Sequence, residues 1–430
     1  MYCSNCGAYC ADGRFCARCG APVNTASSGW YNTSTVSQTP YTPRPYYPAR
    51  PYPSQPPRLP DTPEKEMKRA FSRGGLGVLA LYGSFSVLGS AFLYIAAIIA
   101  FACSGLITGY TGDTIDEILY GSDVLGSPGA LFVVLSYVVG MILGLIIGIR
   151  IMKKILSRIK PVAPEARGLT AKEFFLAMAF AFGAWGLGVA IGNLPDIVFP
   201  TESAEEQLYE ALGMNMLPFY IYTIVGAPIL EEFSFRKVLC GGLSKFGKAP
   251  AVIVSALLFG LMHRNSGQFF LAFFVGLVFG CVYLYSGKII YSIILHGIIN
   301  LIASLPQLFA LGNVDITTGW EIAVFVLGLI GLVFIIVCRK HPMLHPEPSP
   351  IPNSRKAVFA NVGMRIAVIG GLVTTVLIDL YTIIVPLISG ADGPYLLNIL
   401  VSMITIAIVI VTMTCTCRGK VPEVKESEQI

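Results

Sequence analysis

The sequence predicts an all-α polytopic membrane protein with about ten transmembrane helices. Three observations carry this. Only 13% of the 430 residues are charged, against about 25% in a soluble domain. Mean hydropathy is +0.68. The apolar residues, 54% of the chain, fall in blocks, several longer than the ~20 residues that cross a ~30 Å hydrocarbon core. The net charge of +5 is spread over short loops, which gives no nucleic-acid face. No basic patch and apolar h-region open the chain, so the first membrane helix is expected to act as the insertion signal.

Residues 1–20 hold five of the eleven cysteines. Cys3, Cys6, Cys16 and Cys19 form two CxxC pairs, followed by Gly7 and Gly20. Four thiolates in this pattern suit a tetrahedral Zn²⁺ site. A glycine behind each pair suits a tight knuckle whose N–H groups approach the sulfurs. The segment resembles small prokaryotic zinc-ribbon modules. Cys10 is expected to be a bystander. Two disulfides are the competing reading, disfavoured because this end is assigned to a reducing compartment. A twenty-residue module needs its metal for stability.

Residues 21–64 are rich in Pro, Tyr, Ser and Thr, with ten prolines from Pro40 to Pro63. This reads as an extended tether, not a domain. The membrane domain follows, over 65–420. Its apolar blocks lie at about 75–104, 129–151, 171–193, 216–240, 249–263, 268–286, 288–310, 320–338, 366–389 and 395–415.

Loop charge sets the expected orientation. With the N-terminus inside and ten spans, the inner loops and tails carry 22 Lys and Arg, and the outer loops carry one, Arg264. The outer loops 105–128 and 194–214 hold acids instead, among them Asp116, Glu117, Glu205 and Glu206. Both termini are therefore expected in the cytoplasm of a prokaryotic cell, with the ribbon available to a cytoplasmic partner.

A charge in mid-membrane costs at least ~2.5–3.5 kcal/mol, so intramembrane polar residues point to function. The fourth block contains GAPILEEFSFRKVL, with Glu231, Glu232 and Arg236. Glu232 and Arg236 are four apart and share a helical face, acid before base. Glu231 lies about 100° round the helix. It is read as the working carboxylate and Glu232–Arg236 as a structural pair. The fifth block ends SALLFGLMHRN, putting Phe259 and His263 on one face; the seventh contains SIILHGIINLIA, putting His296 and Asn300 on one face. Taken singly, each set has a plainer reading: a wet cleft, an interfacial histidine, a helix–helix hydrogen bond. Asp379, in the ninth block, is read as a structural hydrogen-bonding group, with ion coupling in a transporter as the competing reading.

Together, EExxxR, FxxxH and HxxxN occur in order on three spans. This set resembles the CPBP family: the type II CAAX prenyl endopeptidases and their bacterial relatives, including bacteriocin-processing and immunity proteins. The resemblance covers about residues 216–304. Lys237 departs from the glycine frequent after the arginine, and the ribbon and last three spans lie outside the match.

The resemblance implies an intramembrane protease acting on a membrane-associated peptide or protein, prenylated or not. Peptide hydrolysis needs an activated water, a stabilised oxyanion and a proton for the leaving amine. Glu231, in apolar surroundings, suits the general base. By the resemblance, His263 orients the water, and His296 and Asn300 donate to the oxyanion. Glu232 and Arg236 hold the helix, with Phe259 in support. A zinc-dependent version would use Glu231, His263 and His296. The metal-free version is preferred, because Asn300 is a poor zinc ligand and a good oxyanion donor. A transporter and a non-catalytic immunity or sensor scaffold are the rival classes. One geometric difficulty stands: Glu231 and His296 lie ~12–15 Å along their helices from the cytoplasmic ends, and His263 ~22 Å from Lys248.

Overall fold

A computed structural model describes residues 62–108, 127–157, 164–192, 213–312, 314–351, 354–389 and 395–415, together with 159 and 194. The expected ribbon, nearly all of the tether, and most of the acidic loops lie outside these. The chain divides into a unit of residues 1–59 and a unit of residues 60–430. All regular structure among the described residues is helical.

Helix α1 (Pro63–Thr108) starts twelve residues before its apolar block. Pro63 occupies its first position, where a missing N–H costs nothing. Its first turns are amphipathic: Lys65, Lys68 and Arg69 face outward while Met67, Ala70 and Phe71 are buried. Helix α2 (Ser127–Leu156) runs against it. Gly140, Gly144 and Gly148 recur every four residues along α2, and a Cβ at any of them would lie 2.7 Å from the α1 backbone. Small residues at this spacing let membrane helices approach closely.

Helix α3 (Ala171–Gly192) packs on α6 (Ser266–Ser286) and α9 (Thr317–Val337). Between α3 and α6 come the segmented α4 (residues 217–243) and α5 (Lys248–Met262). After α6 come α7 (Ile289–Ala303) and the short α8 (Leu305–Ala310). Beyond α9 lie α10 (Ser354–Phe359), α11 (Val362–Ser389) and α12 (Tyr395–Cys415).

Among the described residues, each of the ten apolar blocks falls mainly on helix. Six helices among the described residues are long and apolar enough to cross a membrane: α1, α2, α3, α6, α9 and α11. Helices α5 and α7 have 15 residues each. The seventh block is not one helix. It breaks at Ser304, between α7 and α8. Pro306 has no N–H for the carbonyl of Ile302, and Trp320 Nε1 donates to that carbonyl instead, at 2.6 Å.

Helix α6 is the hub. It contributes Phe269, Phe270 and Phe273 to a large core shared with α1, α2, α4 and α5. Its Val275, Val278, Phe279 and Val282 join a second core with α3 and α9.

Candidate active site

Helix α4 is not the uniform α-helix the sequence suggests. Two π-helical stretches, Tyr222–Gly226 and Phe233–Cys240, flank the α-helical turn Ala227–Glu232 that carries both glutamates. Single π-turns inside helices recur at functional sites. Pro228 gives the first stretch its consequence. The N–H of Ala227 bonds to the carbonyl of Tyr222, five residues back. The next bond in that register would need an N–H from Pro228, which has none. The carbonyl of Thr223 is thereby freed, and Asn300 Nδ2 on α7 donates to it at 2.9 Å. This engages one of the two hydrogens of the amide. The second stretch is locked to α5 by Ser255 Oγ, which donates to the carbonyl of Phe235 at 2.8 Å.

The two adjacent glutamates face different surroundings. Glu232 and Arg236 are fully buried, with Glu232 Oε1 3.1 Å from Arg236 Nη1. The guanidinium makes no aligned hydrogen bond among the described residues. It lies over the rings of Phe259 at 4.4 Å and Phe279 at 5.4 Å, an attraction strengthened by desolvation. Gly276 on α6 leaves it room: a Cβ there would sit 3.3 Å from Arg236 Nη2. Breaking such a buried pair strands a charge, which costs far more than the pair itself contributes. The Glu231 side chain, by contrast, is 15% exposed and lies 3.9 Å from His296 Nε2 through Oε2.

His296 is gripped on three sides. Its Nδ1 donates to Glu232 Oε1 at 3.0 Å. Phe279 stacks on it at 5.3 Å, and Phe259 meets it edge-on at 5.8 Å. His263 terminates α5, where its Nδ1 donates to the carbonyl of Phe259 at 2.9 Å. A carbonyl can only accept, so the Nδ1 carries a proton and the Nε2 of neutral His263 is a lone pair. Its ring packs edge-on against Phe259 at 5.1 Å. Phe259 therefore touches both histidines and Arg236. Despite the ~22 Å path along α5, His263 reaches the aromatic cluster that surrounds His296.

Glu231, Glu232, Arg236, Phe259, His263 and His296 thus form one cluster, with Asn300 one turn along α7. Two further members of the cluster left no distinctive mark of their own in the sequence. Phe279 is one apolar residue among many on α6. The carbonyl of Thr223 is backbone, although Pro228 signals it. Among the described residues, no three His, Cys, Asp or Glu side chains converge as the ligands of a metal ion would. Cys3, Cys6, Cys16 and Cys19 lie outside the described residues.

Residues 213–302 match the family model of the Rce1-like type II CAAX prenyl endopeptidases. The membrane-embedded CAAX protease MroQ of Staphylococcus aureus is 32% identical over 93 residues, 20% of this chain and 37% of that protein. An uncharacterized protein of Mycoplasma capricolum is 28% identical over 167 residues, 35% of this chain and 48% of that protein. The chain thus spans less than half the length of each of these relatives. No solved structure matches it significantly. The matched stretch begins at the turn before α4, ends in α7 and contains every residue of the cluster; over this stretch the chain, a multi-pass membrane protein, is similar to the Rce1-like type II CAAX prenyl endopeptidases of the CPBP family.

Proposed function

We propose that this chain is an intramembrane endopeptidase that hydrolyses a peptide bond in a membrane-associated substrate, prenylated or not, with Glu231 as general base. One observation carries the reading: of two adjacent carboxylates, Glu232 is sealed against Arg236 and His296 while Glu231 is reachable and faces His296 Nε2. Glu231 takes a proton from water, the resulting hydroxide attacks the scissile carbonyl, and Glu231 returns the proton to the leaving amine. The Nε2 lone pair of His263 orients that water.

Asn300 has a second amide hydrogen for the oxyanion. His296 needs more. Its Nδ1–H is committed to Glu232, so donation from Nε2 requires the imidazolium. Two carboxylates, one guanidinium and one imidazolium then sum to zero charge, an arrangement suited to a buried site.

The zinc-dependent version has its own support. Both histidines commit Nδ1–H, to Glu232 and to the carbonyl of Phe259, which leaves Nε2 lone pairs, the arrangement of metal-binding histidines. Glu231 would complete that set, but the three side chains do not converge, and no step is assigned to a metal. On the same overall reading, Cys3, Cys6, Cys16 and Cys19 hold a structural zinc and the ribbon meets a cytoplasmic partner. Both termini are cytoplasmic; cysteines in 105–128 and 194–214 then label from outside, and cysteines in 339–365 do not.

The decisive test is substrate trapping in membranes with Glu231→Gln, followed by mass spectrometry. A captured peptide that the unmodified chain cleaves supports the proposal. A Glu231→Gln chain with unimpaired biological function would favour the non-catalytic scaffold, and proton-driven flux in proteoliposomes would favour a transporter.

A further inference from the structure

Helices α11 and α12 lie outside the family match, yet they grip the corner that presents His263. Residues 263–265 join α5 to α6. Arg264 adopts a left-handed backbone, φ 64°, uncommon for a residue with a Cβ and retained where surroundings enforce it. Asn265 caps α6, accepting from the N–H of Gln268 at 2.8 Å, and its Nδ2 donates to the carbonyl of His263 at 3.2 Å. The Arg264 guanidinium lies 5.4 Å over the ring of Tyr82 on α1.

The first residue of α6, Ser266, is buried. Its N–H has no partner within the helix. Asp379 on α11 supplies one: Oδ1 accepts from Ser266 N at 3.0 Å, and Oδ2 accepts from Ser266 Oγ at 2.5 Å. Ser402 on α12 donates to Oδ2 at 2.7 Å, and Thr405 donates to Ser266 Oγ at 2.8 Å. On the other side of the corner, Gly371 of α11 lies so close to Leu261 of α5 that a Cβ there would sit 2.9 Å from the Leu261 side chain. One helix therefore holds the chain just before His263 and just after it. A buried carboxylate receiving three donors is costly unless all are in place, so the contact has one well-defined geometry.

We infer that Asp379, backed by Ser402 and Thr405, is a positioning residue for His263, and that the C-terminal helix pair sets the geometry of the site. The inference rests on the peptidase reading for its kinetic consequence but not for its structural one. A displaced orienting group costs up to ~10²-fold in rate.

The test uses the full chain in lipid nanodiscs. Asp379→Leu, Asp379→Asn and Ser402→Ala are compared, each alone and with His263→Ala. Two readouts are taken: kcat and KM on the trapped peptide, and amide hydrogen exchange of residues 261–268. Asp379→Leu should lower kcat by about 10- to 100-fold with little change in KM. Asp379→Asn, which keeps an oxygen for the Ser266 N–H, should recover most of that loss. In the His263→Ala background, Asp379→Leu should have no further effect, and exchange should quicken at 261–268 more than in α9. Equal losses with and without His263, or unchanged exchange in the corner, would overturn the inference. If Asp379→Leu does not fold, Ser402→Ala decides: a kcat loss that vanishes in the His263→Ala background, with quicker exchange at 261–268, supports the inference, and a loss that is equal with and without His263, or unchanged exchange, overturns it. An unmodified chain without cleavage, whose corner nevertheless loosens in these variants, would remove the peptidase reading and leave the clamp standing.

Discussion

Helices α6 and α9 have 21 residues each; in its apolar window α6 carries no charged residue and α9 carries one, Glu321. Yet 72% of the window is buried in α6 and only 17% in α9, and α9 is the more hydropathic, 2.7 against 2.1. In water the order would be reversed. In a bilayer the outer surface faces hydrocarbon, so hydropathy reports exposure to lipid as readily as burial in protein. The inner helix is recognised by what it packs against, not by its apolarity. The segmented α4 and the short helices α5 and α7 collect around α6, while α9 presents Ile322, Phe325, Val333 and Ile336 outward.

The largest effects should therefore fall on α4, and adjacent residues should fail differently. Glu231→Gln should lower cleavage by ~10²–10⁴ while leaving the folded yield intact, measured by single-turnover assay and size exclusion; His263→Ala should be comparable. Lost yield without a separate loss of rate would erase the distinction between the two glutamates. Arg236→Ala should cost ~3–5 kcal/mol of stability, read by denaturation in detergent, with Glu232→Gln failing in the same direction. The contrast between inner and outer helices sharpens next. Leu257→Ala, in the buried face of α5, should cost ~2–5 kcal/mol. Ile336→Ala, on the exposed face of α9, should stay within ~0.5 kcal/mol. Equal costs would mean that α9 is covered by a partner. Metal content comes last: one zinc per full chain, and none with full activity in a chain starting at residue 65. A second zinc, lost together with activity in His263→Ala and His296→Ala, would move the chemistry to the metal-dependent version.

Much of this was legible in the sequence because a membrane penalises charge so heavily. Glu231, Glu232, Arg236, His263 and His296 stand out against apolar runs, and the ten blocks, among the described residues, do fall mainly on helix. The rest was hidden for physical reasons. The π-helical stretches of α4 depend on which carbonyl each N–H selects, and side-chain periodicity does not encode that choice. Phe279 looks like any other core phenylalanine until His296 stacks on it. Asp379 was visible as a buried acid, but Ser266, 113 residues away, carries no mark identifying it as its partner. The break at Ser304 was signalled by Pro306 and masked by the continuous apolarity of the block.

Pro228 and Asn300 are a donor deficit and its remedy on two different helices. Their effects should consequently not add. Asn300→Ala alone removes both the donor that serves the carbonyl of Thr223 and whatever the amide gives the reaction. In a Pro228→Ala background the backbone regains an N–H and can serve its own carbonyl, so the structural share of the Asn300 loss should shrink. What remains of the loss there is the chemical share, and a residual rate effect near ~10²–10³ would make Asn300 an oxyanion donor in its own right. The proline thus offers a way to separate scaffolding from catalysis within a single side chain, by a double-mutant cycle that never touches Glu231.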